Sequence, residues 1–373
     1  MHNACMKIGI DAHVLGTRAG GNETYMNNLL RALQQHPPPF DISAFVGVDQ
    51  ENAVRQQYGI QTIPLTVHSS YLRVPLVLPW LCRREKIDLL HVQYTAPPVS
   101  SCPYIVSLHD IVSFKYPDSM PFLDRNRLRL LTGHTVRHAR RIWVLTEAMR
   151  DEISDYFHID PNKFDLVQPV PDPAFVPVVD TEHLQAVRAR YGLPGHYILF
   201  LGLLQPRKNL LRLAQAFKQL RDQGLEHVLV VVGKKAWLYG PMLQEIEALE
   251  LGDSLIFTGY AEHADLPALF SGADCFAYVS LYEGFGIPVL EALACGTPVL
   301  ASQDPALREV TGGAAVHVDA RSVDAIAAGL RTVLEDEALR KNLRDKGLTR
   351  ARAFTLEGMA HAAISGYQKA LGV

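Results

Sequence analysis

Short apolar runs rich in Val, Ile and Leu alternate with amphipathic helical patterns down the chain, until QPVPDPAFVPVVD at 168–180 interrupts them. Prolines at 169, 171, 173 and 177 bar a helix there and break strand pairing, so the segment reads as a linker. Before it, strands are predicted at MKIGIDA (6–12), ISAFVGV (42–48), DLLHVQ (88–93), YIVSLHD (104–110), RIWVLT (141–146) and FDLVQ (164–168). After it come YILFLGLL (197–204), HVLVVVG (227–233), SLIFTGY (254–260), CFAYVS (275–280), TPVLAS (297–302) and AAVHV (314–318). Strands that alternate with helices form parallel sheets covered on both faces. The expected fold is therefore α/β, with two doubly wound domains in tandem at 1–175 and 176–354 and a terminal helix at 355–373. A chain of 373 residues is long for one core and suits two. Such sheets bind ligands beyond the carboxyl ends of their strands, so two facing domains would enclose a cleft.

Two helices have a readable face. In the first, Tyr25, Leu29, Leu30 and Leu33 recur at helical spacing. In the last, Thr355 is the expected N-cap, Phe354 and Met359 have staple spacing, and Leu356, Met359, Ile364 and Tyr367 share a side.

Composition removes several classes. Hydrophobic residues are 48% and charged ones 20% of the chain, which suits a folded globular protein. The net charge of −3 gives no global signal for nucleic acid. VPLVLPWLC (74–82) holds two prolines and falls well short of the roughly 20 apolar residues that span a bilayer. MHNACMKIGI lacks the apolar core of a signal peptide, and residues 1–5 ahead of Met6 read as a dispensable extension. Cysteines 5, 82, 102, 275 and 295 form no CxxC pair and no metal-ligand spacing, so reduced thiols in a cytoplasmic protein are expected. Between 71 and 150, twelve Lys/Arg face six Asp/Glu, most densely in FLDRNRLRLLTGHTVRHARR (122–141). That stretch is either a solvated helix face, or a patch turned to anionic lipid or a pyrophosphate-bearing acceptor beside the apolar LVLPWL. His134 and His138 read as surface residues.

No GxGxxG follows a strand and no GxxxxGK[ST] occurs, VVGKKAW (231–237) lacking the upstream glycine and the hydroxyl. HExxH and a metal-holding Asp-x-Asp pair are absent as well. A bound diphosphate would then be neutralised by Arg, Lys and helix N-termini, with no metal and no cofactor.

FLGLLQPRKNLLRLAQAF (200–217) offers that charge: a strand ends near Leu203, a loop presents Arg207 and Lys208, and Asn209 can cap the following helix. In CFAYVS-LYEGFG-IPVLEALACG a strand opens into a glycine loop and a helix with Pro288 near its first turn. Gly284 and Gly286 permit positive φ and close approach to a ligand. Glu283 in the loop and Glu291 in the helix could each accept hydrogen bonds from a vicinal diol; the alternative for Glu291 is a carboxylate complementing the helix dipole.

The segment EGFGIPVLEALACGTPV, with its E-x7-E spacing, resembles the signature of retaining glycosyltransferases of family 4, which have the GT-B fold of two Rossmann-like domains. GLLQPRKNL resembles that family's phosphate-binding loop, and GYAEHADLPALFSGADCFAYVSLYEGFG its approach to the donor site. GIDAHVLGTRAGGNETYMNNLLRAL is similar to its glycine loop and first helix, and IVSLHDIVSFKYP to its His-bearing strand end. The resemblance covers nearly the whole chain. It implies that Arg207 and Lys208 neutralise the donor diphosphate, Glu283 holds hydroxyls of the transferred hexose and Glu291 those of the ribose. It also implies that Phe285, Gly286 and Ile287 meet the sugar or phosphate, and that Gly259 and Tyr260 lie at the base. Gly20 and Gly21 would let the first helix approach the diphosphate, and His109 would face the sugar. Asn22, Glu23 and Asp110 fall on the acceptor side, and the terminal helix would cross back to the first domain. Departures are Val279–Ser280 where the family often has Pro-Ser, and QPVPDP before the linker, where Asp172 alone matches.

The implied reaction moves a hexose, best matched as mannose from GDP-mannose, to a saccharide or lipid-linked saccharide in bacterial surface polysaccharide assembly. The implied partners are the nucleotide sugar, a glycan acceptor and a peripheral contact with the cytoplasmic face of the inner membrane, and no nucleic acid. Alternatives are a UDP- or dTDP-sugar donor, an epimerase of the same fold, or an idle binding subunit.

Overall fold

The computed structural model describes residues 6–117, 122–234 and 239–373. Cys5 with the rest of the 1–5 extension, and Lys235 to Trp237 of VVGKKAW, lie outside them. The chain divides into two compact units. One holds residues up to Phe114, Leu123–Val170 and Phe354–Val373; the other holds Pro171–Ala353 with the short stretch Lys115–Phe122.

Among the described residues the first unit carries a seven-stranded sheet: β1 (Lys7–Asp11), β2 (Asp41–Gly47), β3 (Gln61–Leu65), β4 (Leu89–Gln93), β5 (Tyr104–Ser107), β6 (Arg141–Val144) and β7 (Phe164–Leu166). Their order is β3-β2-β1-β4-β5-β6-β7, all pairs parallel. Ile8, Ile10, Phe45, Leu90 and Ile105 are completely buried, as central parallel strands require. Strand β3 was not legible in sequence. QTIPL is short and contains Pro64, which a sheet accepts only where its missing N–H faces no neighbour, and β3 is the edge strand.

The second unit carries β8 (Tyr197–Leu201), β9 (Val228–Val232), β10 (Leu255–Gly259), β11 (Cys275–Tyr278), β12 (Val299–Ser302) and β13 (Ala315–Val318). Their order is β10-β9-β8-β11-β12-β13, again parallel throughout. The order changes direction at β1 and at β8, and at each the strand ends open a crevice for ligands. The core includes Ile198, Phe200, Leu213, Phe217, Val231, Ala277 and Leu330.

The terminal helix Leu356–Leu371 belongs to the first unit, where it packs on the helix Gly21–Gln35. Thr355 caps it, its hydroxyl accepting from the Gly358 N–H at 3.0 Å. Its contact face is built of small residues, Ala360, Ala363 and Gly366, with Met359 and Tyr367, while Leu356 and Ile364 are half-buried. A Cβ on Gly366 would stand 2.6 Å from Trp143 Nε1, so the helix lies against the indole only because that side chain is absent. The Tyr367 hydroxyl and His91 Nδ1 are hydrogen-bonded at 2.7 Å, and His91 Nε2 meets Ser107 Oγ at 2.8 Å. Among the described residues no helix is long and apolar enough to cross a membrane.

Candidate active site

In the second unit, β8 ends at Leu201 and a single 3₁₀ turn, Pro206–Lys208, precedes the helix Leu210–Arg221. That turn delivers Arg207 and Lys208 to the strand-end crevice. Asn209 stands at the N-cap with φ 63°, yet its side chain makes no cap hydrogen bond, contrary to expectation. Its Nδ2 instead donates to the carbonyls of Val279 at 3.0 Å and Ala320 at 2.7 Å, tying the turn to the loop after β11. A buried amide with two fixed acceptors is worth more there than a cap open to solvent.

The loop after β11 brings Glu283 to the same place. Lys208 Nζ donates to Glu283 Oε1 and to the Tyr278 hydroxyl, both at 2.6 Å. Arg207 Nη1 lies 3.3 Å from the same Glu283 oxygen and donates to the Tyr282 carbonyl. All three charged side chains are largely buried. Burial alone would raise the Glu283 carboxyl, but Lys208 and then Arg207 overcome it and hold the group down at about 2. A buried Tyr278 hydroxyl beside that carboxylate is pushed well above its ordinary value, so it stays a neutral hydrogen-bonding group.

Sequence reading missed a third carboxylate. Asp304 caps the helix Pro305–Thr311 through Oδ1, which accepts from Ala306 and Leu307, and its Oδ2 accepts from the Glu283 backbone N–H at 3.2 Å. Burial, and then the Glu283 charge, raise it to about 6, while backbone N–H donors pull the other way. The signal was available as Asp before Pro at a helix start, a standard N-terminal pair; that its other oxygen would hold the Glu283 loop was not.

Glu291 sits in the helix Ile287–Ala294, where Gly286 takes the left-handed φ of 88° at the N-cap. A Cβ on Gly286 would also meet Leu307 Cδ2 at 2.5 Å, so glycine is required twice over. Phe285 and Ile287, on either side of it, are buried. Glu291 is buried and, among the described residues, forms no ion pair; burial, and then the charge of Asp172, raise its carboxyl to about 8. Gly259 ends β10 with φ 73°, and the Tyr260 ring beside it is half-exposed beneath Lys234 Nζ, 4.5 Å from its centroid.

In the first unit, Gly20 takes φ 62° just before the helix Gly21–Gln35, and nothing lies within 4 Å of where its Cβ would be. Glu23 turns back on the glycine loop, accepting from the Gly16 N–H at 2.8 Å and the Ala19 N–H at 2.9 Å. Asn22 Oδ1 and His109 Nδ1 are 2.9 Å apart. Since the amide oxygen can only accept, His109 carries its proton on Nδ1 and presents Nε2 as an acceptor, buried and without a hydrogen bond among the described residues. Burial lowers the imidazole to about 3, so it is neutral at physiological pH. Asp110 follows it, Oδ1 accepting from Val112 N–H at 3.1 Å and Oδ2 from the Tyr94 hydroxyl at 3.4 Å. The structure thus joins Arg207, Lys208 and Glu283 in one cluster and Asn22 with His109 in another.

Two tandem doubly wound parallel sheets, with the last helix returned to the first unit, define the GT-B architecture. Residues 19–175 match the family described as Glycosyltransferase Family 4, and residues 188–350 match Glycosyl transferases group 1. The chain is 30% identical over 308 residues to the O-antigen chain mannosyltransferase B of Escherichia coli, covering 82% of this chain and 80% of that protein. It is 26% identical to the O-antigen chain mannosyltransferase RfbU of Salmonella typhimurium, over 82% and 84% of the two chains. The Anabaena protein HepE, solved with UDP and glucose, superposes with a TM-score of 0.76 at 17% identity, over 98% of this chain and all of that one (100%). The chain belongs to glycosyltransferase family 4, group 1, and is a GT-B glycosyltransferase.

Proposed function

We propose that the protein transfers mannose from GDP-mannose to a saccharide or lipid-linked saccharide acceptor, with retention at the anomeric carbon and without a divalent ion at the diphosphate. The observation that carries this reading is the buried cluster of Lys208, Arg207 and Glu283 beyond the ends of β8 and β11. A departing diphosphate gathers negative charge as the glycosidic bond breaks. Two cations already fixed by a carboxylate need no reorganisation to meet that charge, so they favour the transition state over the ground state. Glu283 is then a group that sets the cations and contacts sugar hydroxyls, not a nucleophile, and the acceptor attacks from the face the diphosphate leaves. Glu291, held protonated by burial, can donate as well as accept toward a ribose diol. His109 Nε2 accepts from a hexose hydroxyl. The choice of mannose rests on the O-antigen mannosyltransferases that the chain resembles.

The acceptor's lipid carrier is favoured by one surface of the first unit. Tyr71, Leu72, Leu76 and Trp80 on one segment, and Leu123 and Leu130 on the helix that carries Arg127, are exposed. Arg84 stacks 4.5 Å from the Trp80 ring, and Arg127 lies 4.2 Å from that of Tyr71. Exposed apolar side chains interleaved with arginine suit the headgroup region of an anionic bilayer.

Thermal melting with GDP, UDP and dTDP tests the donor. GDP is expected to raise the melting temperature most, by mass action; a larger shift with UDP or dTDP would overturn GDP-mannose.

A further inference from the structure

The edge of the second sheet away from the donor cluster carries an unassigned group of ligating side chains. His196, His227 and Asp274 directly precede β8, β9 and β11, which lie side by side in the order β9-β8-β11. Parallel strands put all three at the opposite edge from Arg207, Lys208 and Glu283, which follow their strands. Register pairs Tyr197 with Val228, so the preceding His196 and His227 stand opposite one another. Asp274 is fixed by the Tyr197 backbone: its N–H donates to the Tyr197 carbonyl at 3.0 Å, and its Oδ2 accepts from the Tyr197 N–H at 3.2 Å.

That oxygen lies 3.1 Å from His196 Nδ1 and 3.5 Å from His227 Nε2, and all three ligand atoms lie within 4.8 Å of one another. Ligands about 2.1 Å from a tetrahedral zinc ion stand roughly 3.4 Å apart. We propose that His196, His227 and Asp274 form a binding site for a divalent transition-metal ion, with zinc the ion that fits best. Two imidazoles with one carboxylate suit zinc and its first-row neighbours and offer too few oxygens for calcium or magnesium. Arg188, Arg340, Lys341 and Arg344 line the same cavity as His196 and Asp274; two of them are held by carbonyls, Arg188 Nη2 donating to Gly272 at 3.3 Å and Arg340 Nη1 to Val333 at 3.1 Å. A bound ion would clamp the starts of three neighbouring strands, stabilising the second sheet from its far edge without entering the transfer reaction. A linear scan for metal motifs misses the group, because its members are 31 and 47 positions apart in the sequence (196 to 227, 227 to 274).

Isothermal titration of the full chain with zinc chloride, in a buffer that does not bind metal, tests the site. Wild type is expected to take up one ion, released by EDTA and not displaced by calcium or magnesium, and to melt at a higher temperature when loaded. His227→Ala and Asp274→Asn should each weaken binding by at least about tenfold. His138→Ala, which alters the stacked His134–His138 pair on a helix of the first unit, should bind as wild type does. Should Asp274→Asn melt early without metal, His196→Ala carries the test, because that side chain is 77% exposed. No zinc uptake by wild type, or equal uptake by the three site variants, would overturn the proposal.

Discussion

His109 and Glu283 each follow the carboxyl end of a parallel strand, β5 in one unit and β11 in the other, and each is buried. Their surroundings make opposite use of that burial. Among the described residues, His109 meets neutral groups: Asn22 at Nδ1, and the rings of Tyr25 and Tyr94 at 4.5 Å and 5.5 Å. Desolvation prevails and the ring stays neutral. Around Glu283 two cations outweigh desolvation and the carboxylate stays ionised. The first region can offer a substrate hydrogen bonds and shape; the second can offer fixed charge. Only the second is suited to a reaction that builds charge on a diphosphate.

The sharpest way to break this contrast is to remove a cation. Lys208→Ala leaves Glu283 buried with one partner fewer. We expect kcat to fall by about 10²–10³-fold and stability by about 3 kcal/mol, read by steady-state kinetics and denaturant melts. A fall in stability with kcat intact would make the cluster structural. His109→Ala removes a neutral acceptor, so its kcat/KM should fall less, by roughly tenfold.

Acid separates the regions next. His91 and His109 are neutral when folded, with values near 3, and charge in the unfolded chain near 6.5. Their stabilisation is complete above pH 6.5 and is lost as pH falls toward 3. Glu283, with a folded value near 2, begins to lose its contribution only below its ordinary 4.5. Lowering the pH from 7 to 5 should therefore reduce amide protection, taken relative to the intrinsic exchange rate at each pH, in β4 and β5 before β8 and β11. Simultaneous loss would contradict the assignment.

The smallest effect concerns Glu291. Its carboxyl is raised from 4.5 to about 8, so its contribution is fully present below pH 4.5 and lost as pH rises through 8. Glu291→Gln, which cannot ionise, should match wild type near pH 5 and melt higher than wild type at pH 9. Equal melting at both pH values would show that the acid is not held neutral.

Much of this was readable from the chain, because alternation and the proline break are local patterns with one structural solution. The E-x7-E spacing likewise announced a loop and a helix. What stayed hidden depends on distant residues meeting. Pro64 concealed an edge strand, since its tolerance is decided by which neighbour the strand lacks. Asn209 looked like a cap until the carbonyls of Val279 and Ala320 were brought to it. Glu283 and Glu291 read as a matched pair, yet burial with and without cations sends their acidities in opposite directions. Asp304 joins the site through a backbone N–H that only the folded loop presents.

The central claim, that Arg207 and Lys208 rather than a metal ion steady the departing diphosphate, is tested most directly by GDP-mannose turnover in excess EDTA. The account predicts that wild type is undiminished while Arg207→Ala and Lys208→Ala are each slowed about 100-fold or more. Loss of wild-type turnover in EDTA with recovery on adding manganese, or variants as fast as wild type, would contradict it.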